Sequence, residues 1–158
     1  MKLKKWKPYA IGILLTEAVG ALSGWLSRGG MKKFQASVVQ PPLSPPTFLF
    51  PVVWGILYAL MGIGAVRVYL SPESPERNKA LNVYIAQLIV NFFWSLIFFN
   101  AQAYLLAFIW LVILWVLVLW MILLFRKADP LAAKLQIPYL LWLSFAAYLN
   151  LGVWYLNR

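Results

Sequence analysis

Few side chains in this sequence could do acid–base, nucleophilic or metal chemistry. The chain has no cysteine and no histidine, so thiolate chemistry is excluded and the commonest metal ligand and general base is missing. Its acidic residues are Glu17, Glu73, Glu76 and Asp129, and only Glu17 lies inside a long apolar run. A two-carboxylate hydrolytic mechanism or a proton relay therefore has little support, and no metal site is predicted.

Three polar side chains within apolar segments are candidates for function. Glu17 falls near the middle of residues 9–26, where an ionised carboxylate is costly in lipid and marks a functional site by default. It could instead be protonated or bonded to a neighbouring helix. Asn91 and Asn150 could orient a ligand, but interhelical hydrogen bonds are the favoured interpretation of both amides.

Aromatic side chains make up 17% of the chain. Rings near the ends of apolar segments are typical of the membrane interface. Others recur at three- and four-residue spacing beside small residues, which places them on one helical face. These faces consist of Trp54, Tyr58, Met61, Gly62 and Ala65, and of Pro138, Trp142, Phe145, Ala146 and Leu149. Such a face suits tight helix packing or a flat apolar ligand between helices, and periodicity alone favours packing.

The composition excludes a water-soluble globular domain. Of the 158 residues, 63% are hydrophobic and 11% charged, whereas soluble domains carry about a quarter charged residues. A small domain cannot hide so many apolar side chains, so much of the surface must face a lipid bilayer. The formal charge of +10 would suggest nucleic acid in a soluble protein, but here the basic residues lie between apolar runs, so no nucleic-acid partner is expected.

The positions that must be held together lie on five predicted membrane-spanning helices. Residues 80–125 carry no charge and are too many for one crossing of about 30 Å, so they must fold back. Asn100, Ala101 and Gln102 predict the turn, the prolines of residues 41–51 predict a long first loop, and residues 126–134 predict the last loop. The predicted spans of this single domain are 9–26, 48–69, 80–99, 103–125 and 135–156. A cleaved secretory signal is the alternative for the first segment, but that segment is long and four spans follow it.

Basic residues in short loops predict the orientation. With five spans, the side of the amino-terminal end holds Lys2, Lys4, Lys5, Lys7, Arg67, Arg77, Lys79, Arg126, Lys127 and Lys134. The other side holds Arg28, Lys32, Lys33 and Arg158. The bias places the amino-terminal end in the cytoplasm and the proline-rich first loop outside. We expect a multi-pass integral protein of a bacterial cell membrane.

Three motifs occur in order along the chain. The first joins residues 41–46 (PPLSPP) to residues 50–62 (FPVVWGILYALMG). The second is residues 91–94 (NFFW) leading to residues 97–99, and the third is residues 130–133 (PLAA) followed by residues 138–150. Together they resemble the tryptophan-rich sensory protein family, also called the translocator protein or peripheral benzodiazepine receptor family. The resemblance covers nearly the whole chain after the first helix.

The resemblance implies an all-α bundle of five transmembrane helices, often a homodimer, with an apolar pocket that the long first loop covers as a lid. Family ligands are porphyrins such as protoporphyrin IX and haem, sterols such as cholesterol, and synthetic isoquinoline carboxamides and benzodiazepines. A porphyrin or haem would be a ligand, and no cofactor is expected. Carried over by position, the ligand-binding residues are Pro45 and Pro46 at the lid, Trp54, Tyr58, Asn91, Trp94, Trp142, Phe145 and Ala146.

The resemblance leaves the activity open. The favoured reading is a membrane receptor or carrier that binds porphyrins, with a sensory or tetrapyrrole-handling role. Some bacterial members are reported to degrade protoporphyrin in light, with the tryptophans at the positions of Trp54 and Trp142 implicated, which makes a light- and oxygen-dependent enzyme the first alternative. A small transporter of tetrapyrroles or sterols is the second, with Glu17 as its coupling group.

A weak sterol-type motif lies at the end of the last span. Val153, Tyr155 and Arg158 fit the loose apolar–tyrosine–basic pattern proposed for sterol contact, although a helix end also carries such residues as interfacial anchors. The motif is offset from that of the family, which has tyrosine at the position of Leu151. The lid also departs from the family pattern, with Leu43 at a tryptophan position. Sterol binding is therefore not carried over.

Overall fold

The computed structural model describes residues 5–158, and this part of the chain forms helices and no strand. Five helical stretches are long and apolar enough to cross a membrane, which confirms the all-α class with five spanning helices. The elements are α1 (Lys7–Ser37), α2 (Leu49–Tyr69), α3 (Pro75–Ser95) with a π-helical continuation (Leu96–Asn100), α4 (Tyr104–Ala128), α5 (Pro130–Leu135) and α6 (Ile137–Leu156). Lys2 and Lys4, which the orientation prediction counts, lie outside the described residues.

Helix α1 extends well past the predicted span, which ends at residue 26. At about 1.5 Å per residue its 31 residues measure about 46 Å, longer than the hydrocarbon core of about 30 Å. Hydropathy indicates where the apolar segment ends, but a helix can continue through polar residues. Proline breaks a helix, and the first proline after the apolar segment is Pro41. The lid loop, defined here as residues 38–48, is therefore shorter than predicted.

Two helix starts correct the predicted loops. Ser74 caps α3 by accepting a hydrogen bond from the Arg77 backbone N–H at 3.0 Å, so the helix begins before the predicted residue 80. Asp129 caps α5 by accepting from the Leu131 N–H at 3.1 Å. The prediction of a loop over residues 126–134 is wrong, because α4 runs to Ala128 and Pro130 occupies the first turn of α5, where a proline is tolerated.

The chain reverses between α3 and α4 where the polar cluster predicts a turn. The π-helical continuation ends with the Ala101 N–H donating to the Leu96 carbonyl at 2.9 Å, and Gln102 adopts a positive φ of 53°. The wider π turn brings Phe98 and Phe99 beside Phe34 of α1, with ring centroids 5.3 Å apart in both pairs. The reversal therefore carries a cluster of rings at the lid end of the bundle.

Helix α4 supplies much of the core, and α1 and α2 make a close backbone contact. Leu111, Leu114, Val118, Met121 and Phe125 of α4 are almost fully buried at helical spacing. Gly62 of α2 lies against the α1 backbone, where a Cβ would meet the Gly12 carbonyl oxygen at 2.7 Å. Large apolar side chains cover the outer face of α1, which fits a surface solvated by lipid: Ile11, Leu14, Leu15, Leu22 and Trp25.

Candidate functional site

A cavity of about 500 Å³ lies between α1, α2, α3, α4 and α6 beneath the lid loop. Its volume falls within the usual range for small-molecule sites, about 300–1,000 Å³. The aromatic residues that line it are Phe34, Phe50, Trp54, Tyr58, Trp94, Phe98, Phe99 and Trp142. Small residues open space between these rings, since a Cβ at Gly24 or Gly55 would meet nothing within 4 Å. The site is therefore a broad aromatic slot.

The structure brings six of the predicted ligand-binding residues together around this cavity. They are Trp54, Tyr58, Asn91, Trp94, Trp142 and Ala146, contributed by α2, α3 and α6. Gly55 of α2 also faces the open cavity. The ring-and-small-residue faces therefore enclose space rather than only packing against each other.

Three predicted ligand-binding residues do not line the cavity. The lid loop reaches it through other residues than Pro45 and Pro46, namely Gln40, Pro41, Ser44 and Thr47. The positive φ of 70° at Leu43 redirects the loop between the two proline pairs, which sequence spacing alone does not reveal. The Phe145 ring packs against Trp142, with ring centroids 5.6 Å apart, and stacks on Tyr148, with ring centroids 6.2 Å apart.

A buried chain of hydrogen bonds fixes the polar wall of the cavity. The Tyr58 hydroxyl donates to Asn91 Oδ1 at 2.5 Å, and Asn91 Nδ2 donates to the Tyr139 hydroxyl at 2.8 Å. The Tyr139 hydroxyl in turn donates to Gln87 Oε1 at 2.8 Å. Neither Gln87 nor Tyr139 is among the residues predicted from the sequence. A signal for Gln87 exists, because it lies one helical turn before Asn91 in an apolar helix, where each amide needs a partner.

Asn150 makes a second interhelical junction at the lid end. Trp94 Nε1 donates to Asn150 Oδ1 at 3.1 Å, and Asn150 Nδ2 donates to the Tyr104 carbonyl at 2.8 Å. The favoured interpretation of Asn91 and Asn150 as interhelical connectors is confirmed. Both amides also border the cavity, so the same bonds hold Tyr58 and Trp94 in place.

Trp142 differs from three other tryptophans, whose indole N–H groups have acceptors. The indole N–H groups of Trp94, Trp110 and Trp115 all donate to protein oxygens at 2.7–3.1 Å. The Trp142 Nε1 atom is buried and has no acceptor within residues 5–158. A buried donor without a partner is costly. The Trp142 indole therefore holds an unsatisfied hydrogen-bond donor within the cavity wall.

The lid loop is fastened to α6. The side chain of Asn157 accepts a hydrogen bond from the Val39 N–H at 3.0 Å and donates to the Val39 carbonyl at 2.7 Å. The Tyr148 hydroxyl donates to the Pro42 carbonyl at 2.7 Å. Gly152 packs directly on Pro41, because a Cβ there would lie 2.6 Å from the proline ring. These contacts hold the loop over the cavity.

The predicted sterol-type motif does not form one surface. Val153 is only 2% exposed and lines the cavity, whereas Tyr155 is 58% exposed. The Arg158 guanidinium lies over the Tyr155 ring, 4.3 Å from its centroid. Tyr155 and Arg158 therefore form an exposed pair at the helix end, separated from the inward-facing Val153.

Charge is distributed unevenly along the cavity. Among the cavity-lining residues of the described part of the chain, Glu17 is the one carboxylic acid, and there is no lysine or arginine. At the lid end of α1, the exposed Arg28, Lys32 and Lys33 follow one another within two turns. At the opposite end of the bundle, Arg67 Nε and Asp129 Oδ2 form an ion pair at 2.7 Å.

Comparison with known proteins gives a single family. The family model described as TspO/MBR family matches residues 12–156. The translocator protein of Ovis aries is 35% identical over 156 residues, covering 97% of this chain and 92% of the relative. The tryptophan-rich protein TspO of Chlorobaculum tepidum is 34% identical and covers 94% of each chain. Protein CrtK of Rhodobacter capsulatus is also 34% identical, over 94% of this chain and 92% of the relative. With five apolar spanning helices and a match over nearly its whole length, the chain is a multi-pass integral membrane protein that belongs to the TspO/MBR family.

Proposed function

We propose that this protein binds porphyrins, such as protoporphyrin IX and haem, and similar flat apolar ligands in the cavity, with a sensory or tetrapyrrole-handling role. Membership of the TspO/MBR family supports the coarser role of a membrane receptor or carrier. The observation that carries the proposal is the aromatic slot itself, in which Trp54, Trp94 and Trp142 border one cavity of about 500 Å³. The porphyrin is the ligand in this proposal and not a resident cofactor.

The shape and polarity of the cavity suit such a ligand. Aromatic rings pack favourably against a flat π-system in offset or edge-on arrangements. Ala146 leaves room beside Trp142, where a larger residue would fill the slot. The propionate carboxylates of a porphyrin would complement the basic residues Arg28, Lys32 and Lys33 at the lid end.

Titration in the dark tests the proposal. Protoporphyrin IX is added to the purified protein in detergent, and quenching of tryptophan fluorescence is followed for the wild type, Ala146→Leu and Ala18→Leu. We expect saturable binding that Ala146→Leu weakens about tenfold or more, which corresponds to about 1.4 kcal/mol. Ala18 lies on the exposed face of α1, so the control variant should bind as the wild type does. Absence of saturable binding by the folded wild type would refute the proposal.

Light-dependent degradation of the bound porphyrin is the second candidate function. Trp54 and Trp142, the tryptophans that the family resemblance implicates, both line the cavity. An excited porphyrin generates reactive oxygen, and indole is readily oxidised. Product formation that requires light, oxygen and either tryptophan would support it, and the Phe variants at these positions provide the test. Transport, a homodimer and the cytoplasmic amino-terminal end stay predictions.

A further inference from the structure

We infer that the Glu17 end of the cavity is a binding site for lipophilic organic cations, a ligand class beyond the proposed porphyrins. Glu17 lies in the cavity wall, on the same face of α1 as Gly20, Ala21 and Gly24. The lipid-facing side chains Leu15 and Leu22 lie on the other side of the helix, whereas Leu14, one turn before Glu17, is exposed beside it. The partly buried carboxylate therefore lies at the edge of the cavity.

The carboxylate has no counter-ion. Within residues 5–158, no arginine or lysine lies within ion-pair distance of Glu17, and the one ion pair joins Arg67 to Asp129. The nearest basic residues along α1 are Lys7 and Arg28, at about 15 and 16 Å along the helix axis. Arg28 is itself engaged with Trp25, donating to its carbonyl at 2.7 Å and stacking 4.2 Å from its ring centroid.

No group within residues 5–158 donates a hydrogen bond to this carboxylate. The neighbouring Thr16 hydroxyl donates to the Tyr58 carbonyl at 2.7 Å, which places Tyr58 at the level of Glu17. The hydroxyl proton of Tyr58 is given to Asn91, so the phenol oxygen offers only lone pairs to the cavity. Glu17 and Tyr58 therefore both present hydrogen-bond acceptors to a ligand, and they do not hydrogen-bond to each other.

Aromatic rings surround the same end of the cavity. The Tyr58 ring lies directly against Gly20, one turn after Glu17, and its centroid is 5.5 Å from that of Trp54. The negative faces of aromatic rings attract cations, and tyrosine and tryptophan form the cages that recognise quaternary ammonium groups. Glu17 places a carboxylate without a counter-ion beside such rings at membrane depth. A ligand that carries a positive charge on an apolar body would complement both the carboxylate and the rings. A lipophilic cation is such a ligand.

Two probes of matched shape and opposite charge test the inference. Tetraphenylphosphonium and tetraphenylborate are titrated into the purified protein in nonionic detergent by calorimetry. We expect saturable binding of the cation. The anion should bind at least about tenfold more weakly than the cation. Glu17→Gln, which keeps the side-chain shape, should weaken cation binding about tenfold or more, because a charge-assisted contact is lost. Glu17→Asp keeps the charge and should restore most of the affinity.

Glu73→Gln is the matched control. It makes the same carboxylate-to-amide change at an exposed residue outside the cavity lining, so cation binding should be unchanged. Protoporphyrin IX titrations of the same preparations show that each variant is folded. They also separate the two proposals, because porphyrin binding does not rest on Glu17. Equal binding of the two probes, unchanged cation binding by Glu17→Gln, or no cation binding by the wild type would overturn the inference.

Discussion

The buried chain of hydrogen bonds yields a prediction for a double-mutant cycle on Gln87 and Tyr139. Both side chains are essentially inaccessible, with exposures of 0% and 1%. Gln87→Leu removes the acceptor of the Tyr139 hydroxyl and leaves that hydroxyl unpaired. Tyr139→Phe strands two groups, Gln87 Oε1 and the Asn91 N–H that donates to the phenol oxygen. The second single substitution should therefore be the more destabilising.

The magnitude follows from the number of stranded groups. Each unpaired buried polar group costs about 1–3 kcal/mol, although hydrogen bonds between membrane helices average only about 0.6 kcal/mol. We expect a loss of about 1 kcal/mol for Gln87→Leu and about 2 kcal/mol for Tyr139→Phe. The double variant removes both partners of the shared bond and leaves only the Asn91 N–H unpaired, a cost of about 1 kcal/mol. It should therefore be more stable than the sum of the single effects predicts, by about 2 kcal/mol.

Reversible unfolding in mixed detergent micelles, followed by circular dichroism, measures the cycle. The same preparations are titrated with protoporphyrin IX, because Gln87 lies outside the cavity lining and acts on it only through Tyr139 and Asn91. We expect Gln87→Leu to weaken porphyrin binding severalfold. Strict additivity of the two substitutions, within about 0.5 kcal/mol, would refute the reasoning that these side chains act as one chain.

Three further predictions follow from local geometry. Gly62→Ala should destabilise the protein by about 1–3 kcal/mol in the same unfolding assay, because its Cβ would press on the α1 backbone, whereas Gly29→Ala, with nothing within 4 Å, should be neutral or stabilising; equal effects would contradict this. Asn157→Ala should speed porphyrin dissociation about three- to tenfold in stopped-flow measurements, because the lid loop loses both bonds to that side chain; an unchanged rate would show that the loop does not retain the ligand. Asp129→Ala should destabilise the protein about 1 kcal/mol more than Arg67→Ala, since it removes the cap of α5 as well as the ion pair; equal losses would contradict the capping role.

Much of the architecture was predictable because lipid imposes simple constraints. The lengths of the apolar segments predict five spans. The polar cluster at residues 100–102 predicts the reversal between the third and the fourth. Helical spacing combined with the family resemblance predicted the residues on α2, α3 and α6 that meet at the cavity, among them Trp54, Asn91 and Trp142. These positions follow from the rotation of each helix about its own axis.

Other features depend on information that spacing along one helix does not carry. The end of α1 lies beyond the apolar segment, so hydropathy does not indicate where the helix ends. Pro130 is compatible with a loop and with the first turn of a helix, so the sequence does not distinguish the two. The hydrogen bond between Gln87 and Tyr139 can be predicted only if the distance between α3 and α6 is known. The positions of Pro45 and Pro46 away from the cavity depend on the backbone at Leu43, whose positive φ no local composition predicts.

The unbroken length of α1 has a consequence for the effect of the bilayer on this protein. The helix carries Glu17 at one end of the cavity wall and Phe34 at the other. A helix longer than the local hydrocarbon thickness accommodates the mismatch by tilting, so thinner membranes incline it further. Because both ends of the wall belong to the same rigid rod, tilt displaces them in opposite directions and changes the width of the slot. We therefore expect the affinity for the proposed porphyrin ligand to depend on the thickness of the host membrane, so vesicles of short- and long-chain lipids should yield different dissociation constants.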